Sequence, residues 1–523
     1  MLSAYTAAAV RAAEQPLLAA GRGPELMRKA AHGLAMGVVA SLRDRGQGVY
    51  GAKAALLIGS GNNGGDALYA GAYLAARGAR TTALLTDAHT HPEALAAFEQ
   101  AGGFCVRVVA DFLPEAKASD VIIDGLLGTG GRGGLREPAA GVVAELNKLA
   151  AQNRPLVVAC DLPSGVDATT GEVFAPVLRA DRTITFGAHK TGLLASPGEQ
   201  ACGTLVLIDL GLQEHLYEAD LFRLVLSDLA ALLPRPARAD QKYTRGVAGI
   251  VAGSVQYPGA ALLAVAAASA CGPGMVRYLG PEHVAAALHV RNPEAVCSQE
   301  SPRNVRVQAW LAGSGIDGDP AQLERASEAI LAGGESGIPV VVDAAALELV
   351  KPAHGDENSH LVLTPHAGEL ATLLARHGVA LKRSAIEAAP LAAARRAAVM
   401  FGAVVLLKGP TTVVAQPDGK VFTQSNGTPR LATAGSGDTL AGILVALLAM
   451  GAGIGELART AALAAALHGE LASLEVARAD LACVGTGLGV EASARGQQLE
   501  PLNAGMLATR IPAVWGRLCS PVQ

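Results

Sequence analysis

The sequence predicts an α/β protein of two domains, the first a parallel, doubly wound sheet and the second another α/β domain with its own polar loops. Strand-like apolar runs alternate with helical patterns along the N-terminal part, the mark of βαβ units. The alternation stops near Gly211 and resumes at Val247 with different loop motifs. The 523 residues, 50% hydrophobic and 17% charged, suffice for two large compact cores.

The first element is helical. Met27, Ala30, Ala31, Leu34, Val38 and Leu42 recur at three- and four-residue steps, with Arg28, Lys29 and Arg43 off that face. Strands follow at "AALLI", "TTALLT", "VIID", "PLVVAC", "TITF" and "TLVLID". An amphipathic stretch with a Pro- and Arg-containing tail then places a boundary at about residue 222, giving domains 1–222 and 223–523. In the second domain "VAGIVAG", "VRVQAWLAG", "PVVVD", "LVLTP" and "AVVLLKG" read as strands.

A net charge of -4 gives no electrostatic basis for nucleic acid. The seven cysteines are scattered singly, with no C-x-x-C pair, against a disulfide framework or structural zinc and for a reducing, cytoplasmic setting. The N-terminus lacks a basic region and Arg11 interrupts its apolar stretch, so no signal peptide is expected. The uncharged stretch Val247 to Val276 is broken by Pro258 and Pro273. A strand, a turn and a buried helix explain it better than a membrane span of roughly 20 residues. A homo-oligomer is compatible with the sequence, which does not locate exposed patches.

Three polar clusters sit at strand ends in the first domain, where open α/β sheets bind ligands. In "LLIGSGNNGGDALYAGAYLAARG", Gly59, Gly61 and Gly64 follow the G-x-G-x-x-G spacing of a dinucleotide site. Asp87, ending the next strand, lies near the ribose-binding offset and suggests a dehydrogenase. Asp66 and two asparagines crowd the loop, however, and two further clusters need explaining. In "IIDGLLGTGGRGG", Asp124 ends a strand before a glycine-rich loop that lets backbone N–H groups approach phosphate. In "VVACDLPSGVD", Asp161 ends a strand and Ser164 follows a Pro-fixed turn. Asn63, Asp124 and Ser164 offer oxygens suited to a hard cation.

"NNGGD", "IIDGLLGTG" and "CDLPSGVDATTG", with "ELMRKAAHGLA" and "TITFGAHKTGLL", resemble the NAD(P)HX epimerase domain of bifunctional NAD(P)H-hydrate repair enzymes. The resemblance implies that Asn62, Asn63, Gly64, Gly65 and Asp66 cradle the hydrated dinucleotide together with Gly128, Thr129, Gly130, Gly131, Arg132, Gly133 and Gly134. It implies that Asp161 faces the altered nicotinamide ring, and that Asn63, Asp124 and Ser164 hold K+. Asp161 is the candidate acid–base residue, against the plainer role of capping the following turn. Lys190 is a second polar group for the same site.

In the second domain "LATAGSGDTLAGILVALLAMG" is the most informative stretch. Gly435, Ser436 and Gly437 lead into an apolar helix whose free N–H groups form an anion hole, with Asp438 at its start. Asp438 is placed to take a proton from a hydroxyl as phosphate transfers to it, the alternative being a simple N-cap. No P-loop motif occurs. With "AGSVQYPGAALLA", "LAGSGIDG", "VVVDAAAL", "LTPHAGEL" and "LLKGPTTVV", this stretch resembles the ribokinase-like NAD(P)HX dehydratase domain.

That resemblance implies nucleotide contacts at Lys408, Gly409, Pro410, Thr411, Thr412 and Gly437. It implies contacts to the hydrated cofactor at Ala260, Gly315, His366 and Asp438, with Asp438 as base. A lone histidine after a strand is more often structural than ligand-binding, but its place in "TPHAGE" favours the substrate site. Ala345, Ala367 and Ala434 depart from the family pattern, as does "GSGID". Together the two resemblances imply repair of NADHX and NADPHX. The first domain epimerises the R and S hydrates; the second dehydrates the S form, consuming ADP with Mg2+ to give AMP and phosphate. The alternative is a ribokinase-type small-molecule kinase with a dinucleotide-binding regulatory domain.

Overall fold

The computed structural model describes residues 1–131, 133–353, 355–451, 454–483 and 501–520. The chain divides into two compact units, Ser3–Leu221 and Phe222–Gln523, the latter including Met1–Leu2.

A short strand, Leu2–Tyr5, precedes α1 (Ala7–Ala19) and α2 (Gly23–Asp44) of the N-terminal unit, α2 being started by a proline in its first turn. There follow β1 (Lys53–Ile58), α3 (Asn62–Ala75), β2 (Arg80–Leu85), α4 (Pro92–Gln100), β3 (Phe104–Val106), α5 (Val109–Lys117), β4 (Val121–Gly125) and α6 (Ala139–Leu146). The last strands are β5 (Leu156–Cys160), β6 (Arg182–Phe186) and β7 (Thr204–Ile208). The seven strands lie in the order β3-β2-β1-β4-β5-β6-β7 and every neighbouring pair is parallel.

Alternation along the strands divides the core. Leu56, Ile58, Ile123 and Val158 face Leu34, Val38 and Leu68, while Leu57, Ile122 and Val157 face Phe112 and Val142 on the other side. The order reverses between β1 and β4. A doubly wound sheet opens a crevice at such a point, beyond the carboxyl ends of the strands. Gly59 and Gly64 close this corner: a Cβ on Gly59 would collide with the Leu126 carbonyl, and one on Gly64 with that of Gly59.

The C-terminal unit runs α7 (Leu226–Leu232), β8 (Val247–Val251), α8 (Pro258–Ala270), β9 (Met275–Leu279), α9 (Glu282–Arg291), β10 (Val296–Ser298), β11 (Ala309–Ala312) and α10 (Pro320–Ser336). It continues with β12 (Val340–Val342), β13 (Leu361–Leu363), α11 (Ala367–Arg376), α12 (Arg383–Ala388), α13 (Pro390–Phe401), β14 (Val404–Leu407), β15 (Thr412–Ala415) and β16 (Val421–Gln424). Three helices end it: α14 (Ser436–Ala449), α15 (Leu457–Cys483) and α16 (Ala504–Cys519).

Its strands from Val247 to Gln424 are ordered β10-β9-β8-β11-β12-β13-β14-β15-β16 within a longer sheet, parallel up to β14 and antiparallel through the hairpins that follow. Helix α14 is apolar all round because it is buried on every side; all residues from Leu440 to Ala449 are enclosed. Gly442 lets its backbone approach Ala264 of α8, a contact that a side chain would block. Among the described residues no helix is long and apolar enough to cross a membrane. The stretch from Val247 forms β8 and the buried α8, as its prolines indicated.

Candidate active sites

At the β1/β4 crevice lies a cleft of about 500 Å³ lined by Asn62, Asn63, Asp66, Gly128, Thr129 and Asp161, among others. Asp161 is its chemical centre. The residue has φ +67, a left-handed conformation costly for a side-chain-bearing residue. Both carboxylate oxygens are engaged. Oδ2 accepts the Thr129 N–H at 3.2 Å and the Thr129 hydroxyl. Oδ1 accepts the Thr185 hydroxyl at 3.2 Å, the Phe186 N–H at 3.4 Å and the Lys190 ammonium at 2.5 Å.

Lys190, 1% exposed, also donates to the Phe186 carbonyl at 2.8 Å and the Thr185 hydroxyl at 3.0 Å. Burial pushes the Asp161 carboxyl up, but the Lys190 charge and the donors outweigh it and hold it below the usual range. Two other carboxyls share the cleft. Burial, reinforced by Asp161, raises Asp66 well above its ordinary value, and its Oδ1 is enclosed without a partner. Burial also raises Glu14 against the pull of Lys190.

Behind the loop, Asp124 is fully buried and accepts the Ser164 N–H at 2.8 Å, the Ser164 hydroxyl at 2.6 Å and the Leu126 N–H at 3.3 Å. Burial raises its carboxyl even so. Asn63 is buried with its Nδ2 unpaired among the described residues, and its Oδ1 lies beside Gly128, 2.9 Å from where a Cβ there would stand.

The second site forms at the amino end of α14. Gly435, at φ +85, caps the helix without a side-chain hydrogen bond; the Ser436 N–H donates to the Thr433 carbonyl at 3.3 Å, and Gly437 and Asp438 carry the next first-turn N–H groups. Lys408 stands beside them, its Nζ 3.6 Å from where a Cβ on Gly437 would be. Its ammonium donates to Asp343 Oδ1 at 2.9 Å and lies 3.6 Å from Glu369. Asp343 also accepts the Ser314 hydroxyl at 2.9 Å and the Thr364 hydroxyl at 2.8 Å. Burial, then the neighbouring Asp343 charge, push the Asp438 carboxyl up to about 6 despite Lys408. A carboxylate with that value is matched to proton abstraction near neutral pH. Beside this corner a cavity of about 420 Å³ is lined by Ala345, His366, Glu369 and Arg376, among others.

Residues 248–492 match a family model described as NAD(P)H-hydrate dehydratase, and residues 23–192 match one described as YjeF-related protein N-terminus. The chain is 42% identical over 463 residues to the bifunctional NAD(P)H-hydrate repair enzyme Nnr of Mycobacterium tuberculosis, covering 87% of this chain and 90% of that protein. The chain belongs to the bifunctional NAD(P)H-hydrate repair enzymes. The Mycobacterium leprae protein of the same name is also 42% identical, over 86% of this chain and 89% of its own. A solved ADP/ATP-dependent NAD(P)H-hydrate dehydratase from Bacillus subtilis, co-crystallized with ATP/Mg2+, is 26% identical with a TM-score of 0.46; the match covers 56% of this chain and 97% of that one. In this repair enzyme the N-terminal unit is accordingly the epimerase and the C-terminal unit the dehydratase.

Several residues named from the sequence line the epimerase cleft: Asn62, Asn63, Asp66, Gly128, Thr129, Gly130, Gly131, Asp161 and Lys190. Gly64 and Gly65 sit instead in the first turn of α3, buried against Gly59 and His91. Gly134 packs towards Phe174, and neither it nor Gly133 lines the cleft. Arg132 lies outside the described residues. Asp87 does not line this cleft; it is exposed and accepts the His89 N–H at 2.9 Å.

In the dehydratase, Gly315 and Ala260 touch, since a Cβ on Gly315 would collide with that of Ala260. Gly409 and Pro410 are exposed, Thr411 is buried and Thr412 opens β15. Asp438 lies in the first turn of α14 rather than at its cap. His366 caps α11: its Nδ1 accepts the N–H groups of Gly368 at 3.0 Å and Glu369 at 3.1 Å, while its ring lines the cavity. Its Nε2 lies 3.7 Å from Glu369 Oε1. Asp343, Ser314, Thr364 and Glu369 went unnamed as site residues. All four lie in motifs quoted above, Asp343 directly after the apolar run "PVVV", Ser314 in "LAGSGIDG", and Thr364 and Glu369 in "LTPHAGEL".

Proposed function

We propose that the epimerase cleft interconverts the R and S hydrates of NADH and NADPH, and that the second site dehydrates the S hydrate with ADP and Mg2+, giving AMP and phosphate. The observation that carries this is the pair of differently tuned sites. One holds a carboxylate ionised beside a buried lysine; the other sets a poised carboxylate, Asp438, beside a cation and an open helix N-terminus.

In the epimerase, Asp161 meets the altered ring as a fixed negative charge. Five donors suit it to oppose a developing cation more than to trade protons, the role its position first suggested. Asn62, Asn63 and the Gly128 to Gly131 backbone hold the dinucleotide. Asp124, Asn63 and Ser164 fit a potassium ion. They supply oxygens, Asp124 has no positive side chain among the groups that shift it, and no trio of His, Cys, Asp or Glu for a transition metal occurs among the described residues. Such an ion would offset the buried charge of Asp124 and fix the loop between Leu126 and Gly128.

In the dehydratase, Asp438 takes the proton of the ring hydroxyl as that oxygen receives phosphate. Lys408 and the α14 N–H groups hold phosphate oxygens, with Lys408 held in place by Asp343. Phosphorylation converts a poor leaving group into a good one, which is the chemical reason to consume a nucleotide. Magnesium supplies charge neutralisation for the phosphates.

Separated R and S hydrates test the assignment. With ADP and magnesium the S hydrate should return dihydronicotinamide absorbance with stoichiometric phosphate, and the R hydrate should do so only through epimerisation. Exchanging potassium for lithium should slow the R reaction alone. A stably phosphorylated product without phosphate release would favour a small-molecule kinase instead.

A further inference from the structure

The reading of the N-terminal unit as an epimerase leaves one question of chemistry. Something must protonate the hydroxyl that departs. Three carboxyls face the cleft, and their surroundings differ. Asp161 has both oxygens occupied by donors. Asp66 has one oxygen, Oδ1, buried without a hydrogen-bond partner among the described residues. Glu14, on α1, is half-buried, lines the cleft and makes no hydrogen bond among the described residues.

The position of Glu14 is fixed by its neighbour one helical turn back. Arg11 donates to the Thr129 carbonyl at 3.1 Å, and the N–H and hydroxyl of Thr129 both bind Asp161. Arg11 and Glu14, three apart, share one face of α1. The helix is thereby pinned to the loop that holds Asp161. Both residues precede the span of the matching family model, which starts at residue 23. The charged groups facing Glu14 are Arg11, Asp66, Asp161 and Lys190.

We propose that Glu14 is the proton donor and acceptor of the epimerisation, acting on the substrate hydroxyl while Asp161 remains a carboxylate. A hydrated dihydronicotinamide carries its hydroxyl on the ring carbon bonded to nitrogen, because water adds to the carbon of an iminium. Glu14 gives its proton to that hydroxyl. The C–O bond breaks, its electron pair leaves with water, and the nitrogen lone pair forms the C=N bond of an iminium opposed by Asp161. Water adds to the other face of this flat cation and the π electrons return to nitrogen. The proton released goes back to Glu14, so the cycle neither oxidises nor reduces anything. Burial keeps Glu14 protonated to higher pH than an exposed glutamate, as a donor requires.

The test uses the full-length chain. Glu14→Gln should lower kcat for R-to-S conversion at least about 100-fold. KM should move no more than about threefold if Glu14 acts in the transition state rather than in binding. Glu14→Asp should recover part of the rate. The unaltered enzyme in oxygen-18 water should place one labelled oxygen in the hydroxyl per conversion, after subtraction of spontaneous exchange. That measurement stands even if the glutamine variant fails to fold. A glutamine variant with unaltered kcat overturns the role of Glu14 alone, and conversion without label overturns the water-loss route. An unaltered chain that fails to epimerise at all would overturn the epimerase reading and this inference with it.

Discussion

Asp161 and Lys190 form a buried ion pair at 2.5 Å whose value lies in what its loss would expose. Replacing a buried charge's partner leaves an uncompensated ion, which typically costs about 3–5 kcal/mol. Lys190→Met should therefore destabilise the N-terminal unit by about that amount in urea unfolding, and should abolish epimerisation. A change below about 1 kcal/mol would mean that Asp161 is held mainly by Thr129, Thr185 and the Phe186 N–H. Asp438 makes a prediction of a different kind. In the proposed reaction it acts as a base, hence as the carboxylate, and burial with the Asp343 charge pushes its carboxyl up to about 6. The dehydratase rate should rise as pH climbs through about 6 and level off above it. An Asp438→Asn variant should lose the activity together with that limb. A rate independent of pH across this range would remove Asp438 as the titrating base.

At the scale of elements, glycines set how closely the loops approach. Gly315 has φ +67 and faces Ala260 and the Tyr257 carbonyl, next to Ser314, which binds Asp343. Gly315→Ala should cost about 1–3 kcal/mol in chemical unfolding and raise the dehydratase KM, because the loop must move away from α8. An unchanged KM would show that the loop yields without disturbing the site. The same scale shows what was legible in the sequence. The central strands were legible because "AALLI", "VIID", "PLVVAC" and "PVVVD" are apolar runs bounded by polar turns. The edge strand Phe104–Val106 and the strand Val296–Ser298 were not, since neither is an unbroken run of aliphatic residues and their pairing comes from tertiary contact. The hairpin from Thr412 to Gln424 was concealed in the same way, its short strands separated by "QPDGK". Site residues brought by loops distant in sequence were the least legible. Glu14 reads only as a charge on a helix, and Ser314 and Thr364 as ordinary loop polars.

At the scale of the whole molecule, two chemistries are carried by two compact units, Ser3–Leu221 and Phe222–Gln523. A hydrate that forms as two epimers explains why they share a chain. The dehydratase site takes one epimer, and the epimerase returns the other to it. The central claim is that both activities are present and separately removable. The direct measurement is the extent of dihydronicotinamide recovery from a mixed R and S hydrate sample with excess ADP and magnesium, corrected for spontaneous epimerisation. The unaltered chain should recover nearly all of it. An Asp161→Ala variant should halt at the S fraction, and an Asp438→Ala variant should recover none. Full recovery by the Asp161 variant, or no recovery by the unaltered chain with either ADP or ATP, would contradict the account.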